Sequence, residues 1–170
     1  MYAMKSAMRA VVFTFLVLAS GPAQGQRPLI PGLDRPASKP AAVEFLFPEQ
    51  ITIPVGKTIT VTLRFRVAPG LHINSHTPTA EELIPTIFTI PADSGVQLIS
   101  ASYPRGAEFT LPLDPTTKLS VYSGDFSLKA RIKASPGNHL VEARLRYQAC
   151  DNNTCMPPKT IPVVMDVIGQ

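Results

Sequence analysis

Alternating apolar and polar side chains in several segments constrain the fold of this chain more than any other feature. In Ile59–Val67 the apolar residues Ile, Val, Leu, Phe and Val alternate with Thr and Arg. A period of two residues places one set on each face of a β-strand. The segments 126–133 and 141–147 repeat this pattern. Further strand candidates are residues 43–47, 86–90, 96–103 and 161–167.

The chain lacks the pattern of a helical protein. No segment keeps a 3.6-residue apolar period beyond a single turn predicted at residues 79–83, and 18 prolines interrupt the sequence. Turn-forming sequences such as residues 68–70 and 135–138 separate the strand candidates. About seven to nine short strands are predicted, which is typical of an all-β, immunoglobulin-like antiparallel β-sandwich.

The N-terminal segment has the organisation of a secretory signal peptide. Lys5 and Arg9 precede an apolar stretch at residues 10–19, which is too short to span a bilayer comfortably. We predict a signal peptide at residues 1–25, a proline-rich linker at residues 26–42 and one β-sandwich domain at residues 43–170. The mature protein is expected to be soluble and extracytoplasmic, where disulfides persist.

Composition argues against several classes of function. Removing the signal peptide takes away two basic residues and no acidic one, so the formal charge falls from +4 to +2. The remaining Lys and Arg alternate with apolar residues and form no run, so nothing indicates nucleic-acid binding. The sequence has no glycine-rich phosphate loop and no serine nucleophile with suitable His and Asp partners, and no cofactor is predicted.

The two cysteines are the main candidates for chemistry. Cys150 and Cys155 are separated by Asp-Asn-Asn-Thr, a turn-forming sequence. We predict a tight β-hairpin with one sulfur on each arm, close enough to pair. A disulfide that closes so short a loop contributes about 2 kcal/mol to stability. Because this stabilisation is small for a domain of this size, we favour a redox-active pair. An inert structural disulfide is the alternative.

Two histidines raise the question of a metal site. His72, His76, the two cysteines and Met156 carry the soft donor atoms that zinc or copper prefers. Residues four apart on one strand lie about 13 Å apart, too far for a single metal ion. The histidines are therefore predicted to be polar residues at a strand-to-loop boundary, and no metal ligand is assigned.

The cysteine segment also carries a resemblance to a known family. Its sequence is Tyr147-Gln148-Ala149-Cys150, four residues, then Cys155-Met156-Pro157-Pro158. It resembles the active-site hairpin in the N-terminal domain of the DsbD family of thiol:disulfide interchange proteins. Residues 69–86 are similar to the early strand and loop of that family, and the resemblance spans about residues 43–167.

The resemblance implies a role for each cysteine in an immunoglobulin-like periplasmic domain. Cys155 matches the cysteine that forms mixed disulfides with partners, and Cys150 matches the one that resolves them. The resemblance also implies a cap loop that shields the pair, matched here by residues 109–122. Leu111 or Leu113 stands where an aromatic side chain is expected in that loop.

Four further residues are candidates for supporting the site. Tyr147 is predicted to be a core residue, and Tyr122 to belong to the core or the cap. The negative charge of Asp151 disfavours a thiolate at the adjacent Cys150. Lys159, on the side of Cys155, acts in the opposite direction.

The resemblance further implies which proteins donate electrons to this chain and which accept them. Thioredoxin-like and membrane thiol-disulfide proteins are the expected electron donors, and oxidised periplasmic proteins the expected acceptors, as in cytochrome c biogenesis. The sequence ends at Gln170 with neither a membrane domain nor a thioredoxin-like domain, so a separate protein is expected to supply the reductant. The chain is thus predicted to be a component of a protein-disulfide reductase.

Two alternatives belong to other functional classes. One is a non-catalytic immunoglobulin-like binding module with a structural disulfide. The other is a periplasmic copper- or zinc-binding protein.

Overall fold

The computed structural model describes residues 41–46, 50–112 and 114–170. The predicted signal peptide, all of the predicted linker before residue 41, the strand end at Phe47 and the cap candidate Leu113 lie outside the described residues. The domain boundaries therefore stay predictions.

The described residues form β-strands joined by turns and bends, without a helix. They contain no helix of the length and hydrophobicity needed to span a bilayer. The strands are β1 (Val43–Leu46), β2 (Ile51–Ile53), β3 (Ile59–Val67), β4 (His72–Asn74), β5 (Ile87–Thr89), β6 (Val96–Ser102), β7 (Ala107–Leu111), β8 (Asp114–Tyr122), β9 (Asp125–Ala134), β10 (Gly137–Tyr147), β11 (Ala149–Cys150) and β12 (Lys159–Gly169).

Two four-stranded sheets form the body of the domain. Their strand orders are β1-β3-β9-β6 and β2-β12-β10-β5. Neighbouring strands run antiparallel, except that β2 pairs in parallel with β12. The three segments with the clearest alternation are β3, β9 and β10, and each is an inner strand with one buried and one exposed face. The prediction of these strands is confirmed.

Inward-facing side chains of both sheets share one hydrophobic core. Phe65 and Leu128 from the first sheet and Val141 and Leu145 from the second are completely buried in it. Burial of apolar surface between two facing sheets is the main source of stability in a sandwich. The predicted fold class, an all-β, immunoglobulin-like antiparallel β-sandwich, is confirmed.

Two local predictions differ from the structure. Residues 79–83 form a turn closed by a hydrogen bond from Leu83 N to Ala80 O, 3.2 Å, and not a turn of helix. Within the stretch 109–122, predicted to be a loop, residues 109–111 belong to β7 and residues 114–122 to β8, which pair as a hairpin. The reason is visible in the sequence, since apolar and polar residues alternate on both arms and pair across the hairpin, as in Phe109 opposite Leu119.

A third sheet, with the order β11-β4-β8-β7, carries the cysteine hairpin. The chain leaves β10 at Tyr147 and enters β11 at Ala149, so Gln148 is the point at which it changes sheets. Gln148 is held there by a hydrogen bond from Asn74 N to its carbonyl oxygen, 3.3 Å, and its side-chain amide donates to Met156 O, 3.2 Å. These bonds fix the hairpin against β4.

Candidate functional site

Cys150 and Cys155 form a disulfide at the base of a tight hairpin. Their Cα atoms are 4.0 Å apart, and the two residues form an antiparallel bridge. A hydrogen bond from Met156 N to Ala149 O, 2.8 Å, continues the pairing by one step. The predicted hairpin and its disulfide are confirmed.

Asp151 shapes the turn of this hairpin. Its Oδ1 accepts hydrogen bonds from the backbone N–H groups of Asn153 and Thr154, both 2.8 Å. Its own N–H donates to Thr154 O, 3.0 Å. An aspartate that bonds the backbone two and three residues ahead stabilises a turn. The residue predicted to modulate Cys150 therefore also sets the geometry that brings the sulfurs together.

The two sulfur-bearing residues differ sharply in exposure. Cys150, in β11, is only 1% exposed, whereas Cys155 lies on the outer arm and is exposed. Thiol-disulfide exchange requires a thiolate to approach one sulfur of the disulfide. Cys155 is therefore the more accessible of the two residues to an incoming thiolate.

A cavity of about 270 Å³ adjoins the disulfide, and both cysteines line it. Leu111 and Leu119 from the β7–β8 hairpin form part of its wall, and Leu83 from the turn after β4 forms another part. Leu111, a predicted cap residue, therefore lines the same cavity as both cysteines. Lys159 is exposed at the first residue of β12 and is not among the residues that line the cavity.

His72 lies inside the site, which the sequence did not predict. It pairs with Cys150 across β4 and β11, is 3% exposed and lines the same cavity. Burial lowers the pKa of His72, and the nearby negative charge of Asp151 partly opposes this effect. All three residues of β4 are buried, so a period-two pattern could not identify this strand or its inward histidine.

Phe109, in the stretch predicted to be the cap, brings an aromatic ring to His72. It is the first residue of the predicted stretch, it is half-buried, and its ring lies 4.2 Å from that of His72, centroid to centroid. An aromatic at the start of the stretch was the available signal. The prediction that Leu111 or Leu113 takes the aromatic position of the cap stays a prediction.

The two tyrosines are buried on either side of the site. Tyr147 is a core residue, and burial raises its pKa. The Tyr122 hydroxyl donates to Pro104 O, 2.9 Å, and accepts from His76 N, 3.1 Å. Burial raises the pKa of Tyr122 as well. Tyr122, in β8, thus links the segment after β4 to the loop before β7.

His76 and His72 lie in different surroundings. The His76 ring is exposed, stacks on Tyr103 with centroids 3.8 Å apart, and places Nδ1 3.0 Å from Thr86 O. Among the described residues, no three or more His, Cys, Asp or Glu side chains are grouped so that they could hold a metal ion.

Replacing both cysteines should cost little stability. We expect Cys150→Ala/Cys155→Ala to remain folded and to lose about 2–3 kcal/mol of unfolding free energy at most, since the loop is short. Urea unfolding of the oxidised protein and the double variant, followed by circular dichroism, measures the difference. Loss of the β-sheet signal at room temperature would contradict this expectation.

The chain is similar to a known protein family and to a solved structure. The family model described as "Thiol:disulfide interchange protein DsbD, N-terminal" matches residues 42–165. Among solved structures, the crystal structure of the Neisseria meningitidis DsbD N-terminal domain in the reduced form matches at 18% sequence identity and a TM-score of 0.44, covering 64% of this chain and 77% of that one. A comparison with curated proteins finds no significant match. Because the family match extends over most of its length, the chain belongs to the family of DsbD N-terminal domains.

Proposed function

We propose that the protein is a periplasmic thiol-disulfide interchange domain that relays reducing equivalents through Cys150 and Cys155. The observation that carries the proposal is the disulfide with one buried and one exposed sulfur-bearing residue, next to a cavity. A purely structural disulfide needs no accessible sulfur, whereas exchange depends on one. The family to which the chain belongs supports the same chemistry.

The proposed cycle begins with reduction of the disulfide by a partner dithiol. A partner thiolate attacks Sγ of Cys155, the Cys150–Cys155 bond breaks, and Cys150 leaves with the electron pair and takes up a proton. The second partner thiol then displaces Cys155, so the partner is oxidised to a disulfide and this domain becomes a dithiol.

The second half of the cycle passes these electrons to a target. The Cys155 thiolate attacks a disulfide of an oxidised protein and forms a mixed disulfide. Cys150 then attacks Cys155, restores the internal disulfide and releases the target as a dithiol. Cys155 is assigned the contact with partners because it is the exposed residue of the pair.

The β7–β8 hairpin is proposed to be the cap of this site. Leu111 lines the cavity beside the cysteines, and Phe109 covers His72. A partner that docks at Cys155 would lie beside this hairpin. The cap is therefore expected to shield the Cys150 side of the disulfide when no partner is bound.

The proposed partners follow from the chemistry of the cycle and from the family. Thioredoxin-like and membrane thiol-disulfide proteins would act as donors, and oxidised periplasmic proteins as acceptors. In this assignment the protein is one component of a protein-disulfide reductase system. It uses no cofactor, because cysteine sulfur carries the electrons.

The reduction potential of the pair tests the proposal. Protein purified without reductant should have no free thiol, and dithiothreitol should release two. Equilibration with glutathione buffers should give a potential above about −300 mV, because a disulfide with one exposed cysteine is more readily reduced than a fully buried one. A potential below that value would indicate a structural disulfide, and stoichiometric copper or zinc uptake that protects both thiols would indicate a metal-binding protein instead.

A further inference from the structure

His72 and Cys150 form a directly opposed pair in the antiparallel strands β4 and β11. Side chains opposite each other in such a pair point to the same face, with Cβ atoms about 4.5–5.5 Å apart. Both residues also line the cavity beside the disulfide. The fold therefore holds an imidazole next to the buried sulfur.

The imidazole of His72 is enclosed and incompletely bonded. The residue is 3% exposed, and the ring of Phe109 lies 4.2 Å from it, centroid to centroid. Its Nε2 is buried and has no hydrogen-bond partner among the described residues. A buried polar atom without a partner is costly, so such an atom calls for a functional explanation.

We propose that His72 is a general base that accepts the proton of the Cys150 thiol when this sulfur resolves a mixed disulfide. The inference rests on the proposed interchange function. In the oxidised protein the Cys150 sulfur has no proton to donate. Reduction creates an S–H group, which is a donor suited to the unpartnered Nε2. The buried imidazole thus gains a hydrogen-bond partner in the reduced state.

The proposed step balances protons and electrons within the site. As the Cys150 proton moves to Nε2, the sulfur attacks Sγ of Cys155. The bond between Cys155 and the partner's sulfur breaks, and the partner leaves as a thiolate. The imidazolium then returns its proton to that thiolate or to water. Cys150, which solvent reaches poorly, thereby loses its proton without exposure to bulk water.

The charged groups around His72 are compatible with a neutral imidazole near pH 7. Asp151 follows Cys150 on the hairpin, and Glu82 lines the cavity from the turn after β4. On β7 and β8, Glu108 and Lys118 pair with each other at 2.9 Å and line a separate cavity. Burial nevertheless lowers the pKa of His72, because desolvation outweighs the attraction to Asp151.

Reaction of the reduced protein with dithiobis(nitrobenzoate) tests this step with a small probe. The exposed Cys155 should release a first nitrothiobenzoate, and attack by Cys150 on the resulting adduct should release a second. We expect His72→Asn to slow the second release about 100-fold near neutral pH. The rate of the first release should stay within about threefold of the native rate, which corresponds to little change in its barrier.

The pH profile separates proton transfer from a structural effect. The thiol–imidazole pair and the thiolate–imidazolium pair hold the same number of protons, so their ratio does not change with pH between the two macroscopic pKa values. The second release should therefore be nearly flat with pH in the native protein. In His72→Asn it should rise about tenfold per pH unit, following the thiolate fraction of Cys150. His76→Asn is the matched control and should change neither phase.

An unchanged second phase in His72→Asn, in rate and in pH profile, would overturn the inference. If that variant does not fold, nitrogen NMR of the unaltered protein provides the answer. The Nε2 resonance of His72 should shift on reduction, because this nitrogen then accepts a hydrogen bond from the Cys150 S–H group. The Nε2 resonance of His139, which contacts Ser135, should not shift. No shift at His72 would equally overturn the inference.

The inference and the proposed function can fail separately. Exchange of the native protein with a reduced thioredoxin-like protein tests the function. Exchange with an unchanged second phase in His72→Asn would leave the function and remove the inference. Absence of exchange, with a second phase that depends on His72, would remove the function and leave the proton coupling between His72 and Cys150.

Discussion

Cys150→Ser should accumulate covalent complexes with periplasmic partner proteins, and Cys155→Ser should not. The reason is the difference in exposure, since Cys150 is 1% exposed and Cys155 is exposed. A mixed disulfide on Cys155 persists when the thiol that resolves it is removed. In Cys155→Ser the remaining Cys150 is buried in β11, so a partner disulfide can hardly reach its sulfur. We expect an essentially all-or-none contrast between the two variants.

Non-reducing gels of periplasmic extracts measure the contrast. The adducts of Cys150→Ser should disappear on addition of dithiothreitol, and Cys150→Ser/Cys155→Ser should give none. Adducts that form only with Cys155→Ser would reverse the assignment of the two roles. Adducts with neither single variant would contradict interchange with proteins and favour a structural disulfide.

The main strands of the sandwich could be predicted because each inner strand has one buried face and one exposed face. In β3 the residues Leu63, Phe65 and Val67 are buried while Arg64 and Arg66 are exposed. This contrast appears in the sequence as a period of two. By comparison, every residue of β4 and β11 is buried. A strand covered on both faces has no alternation, and a strand of two or three residues is too short to show any pattern.

The candidate site was predictable where its chemistry is local. The cysteine spacing and the turn residues between them lie within one short segment, so the hairpin and the disulfide follow from the sequence. The neighbour of Cys150 does not, because His72 reaches it only through the pairing of β4 with β11. Such a register depends on contacts between residues far apart in the sequence.

The structure adds a second cause of asymmetry between the cysteines to the predicted one. The sequence indicated that Asp151 and Lys159 would favour thiolate at Cys155 over Cys150. In the fold, Lys159 lies at the exposed start of β12, opposite Tyr147 and outside the cavity lining. The cysteines also differ in burial, which controls the access of an attacking thiolate.

Phe65→Ala should destabilise the protein more than removal of both cysteines. Phe65 is 0% exposed, and its ring contacts those of Phe45 and Phe126 at centroid distances of 5.2 and 5.3 Å. Truncating a buried phenylalanine removes apolar burial and leaves a cavity, at a cost of about 3–5 kcal/mol. This is a large part of the roughly 5–15 kcal/mol that stabilises a typical domain.

Urea unfolding in the oxidised state compares Phe65→Ala with a surface control. Leu140→Ala is the control, because Leu140 is 73% exposed and its loss should change the unfolding free energy by about 0.5 kcal/mol or less. If Phe65→Ala lost less than the double cysteine variant, the disulfide and not the sandwich core would be the dominant stabilising element. The expected order instead makes the disulfide dispensable for folding, so the pair can open and close during exchange while the domain remains folded.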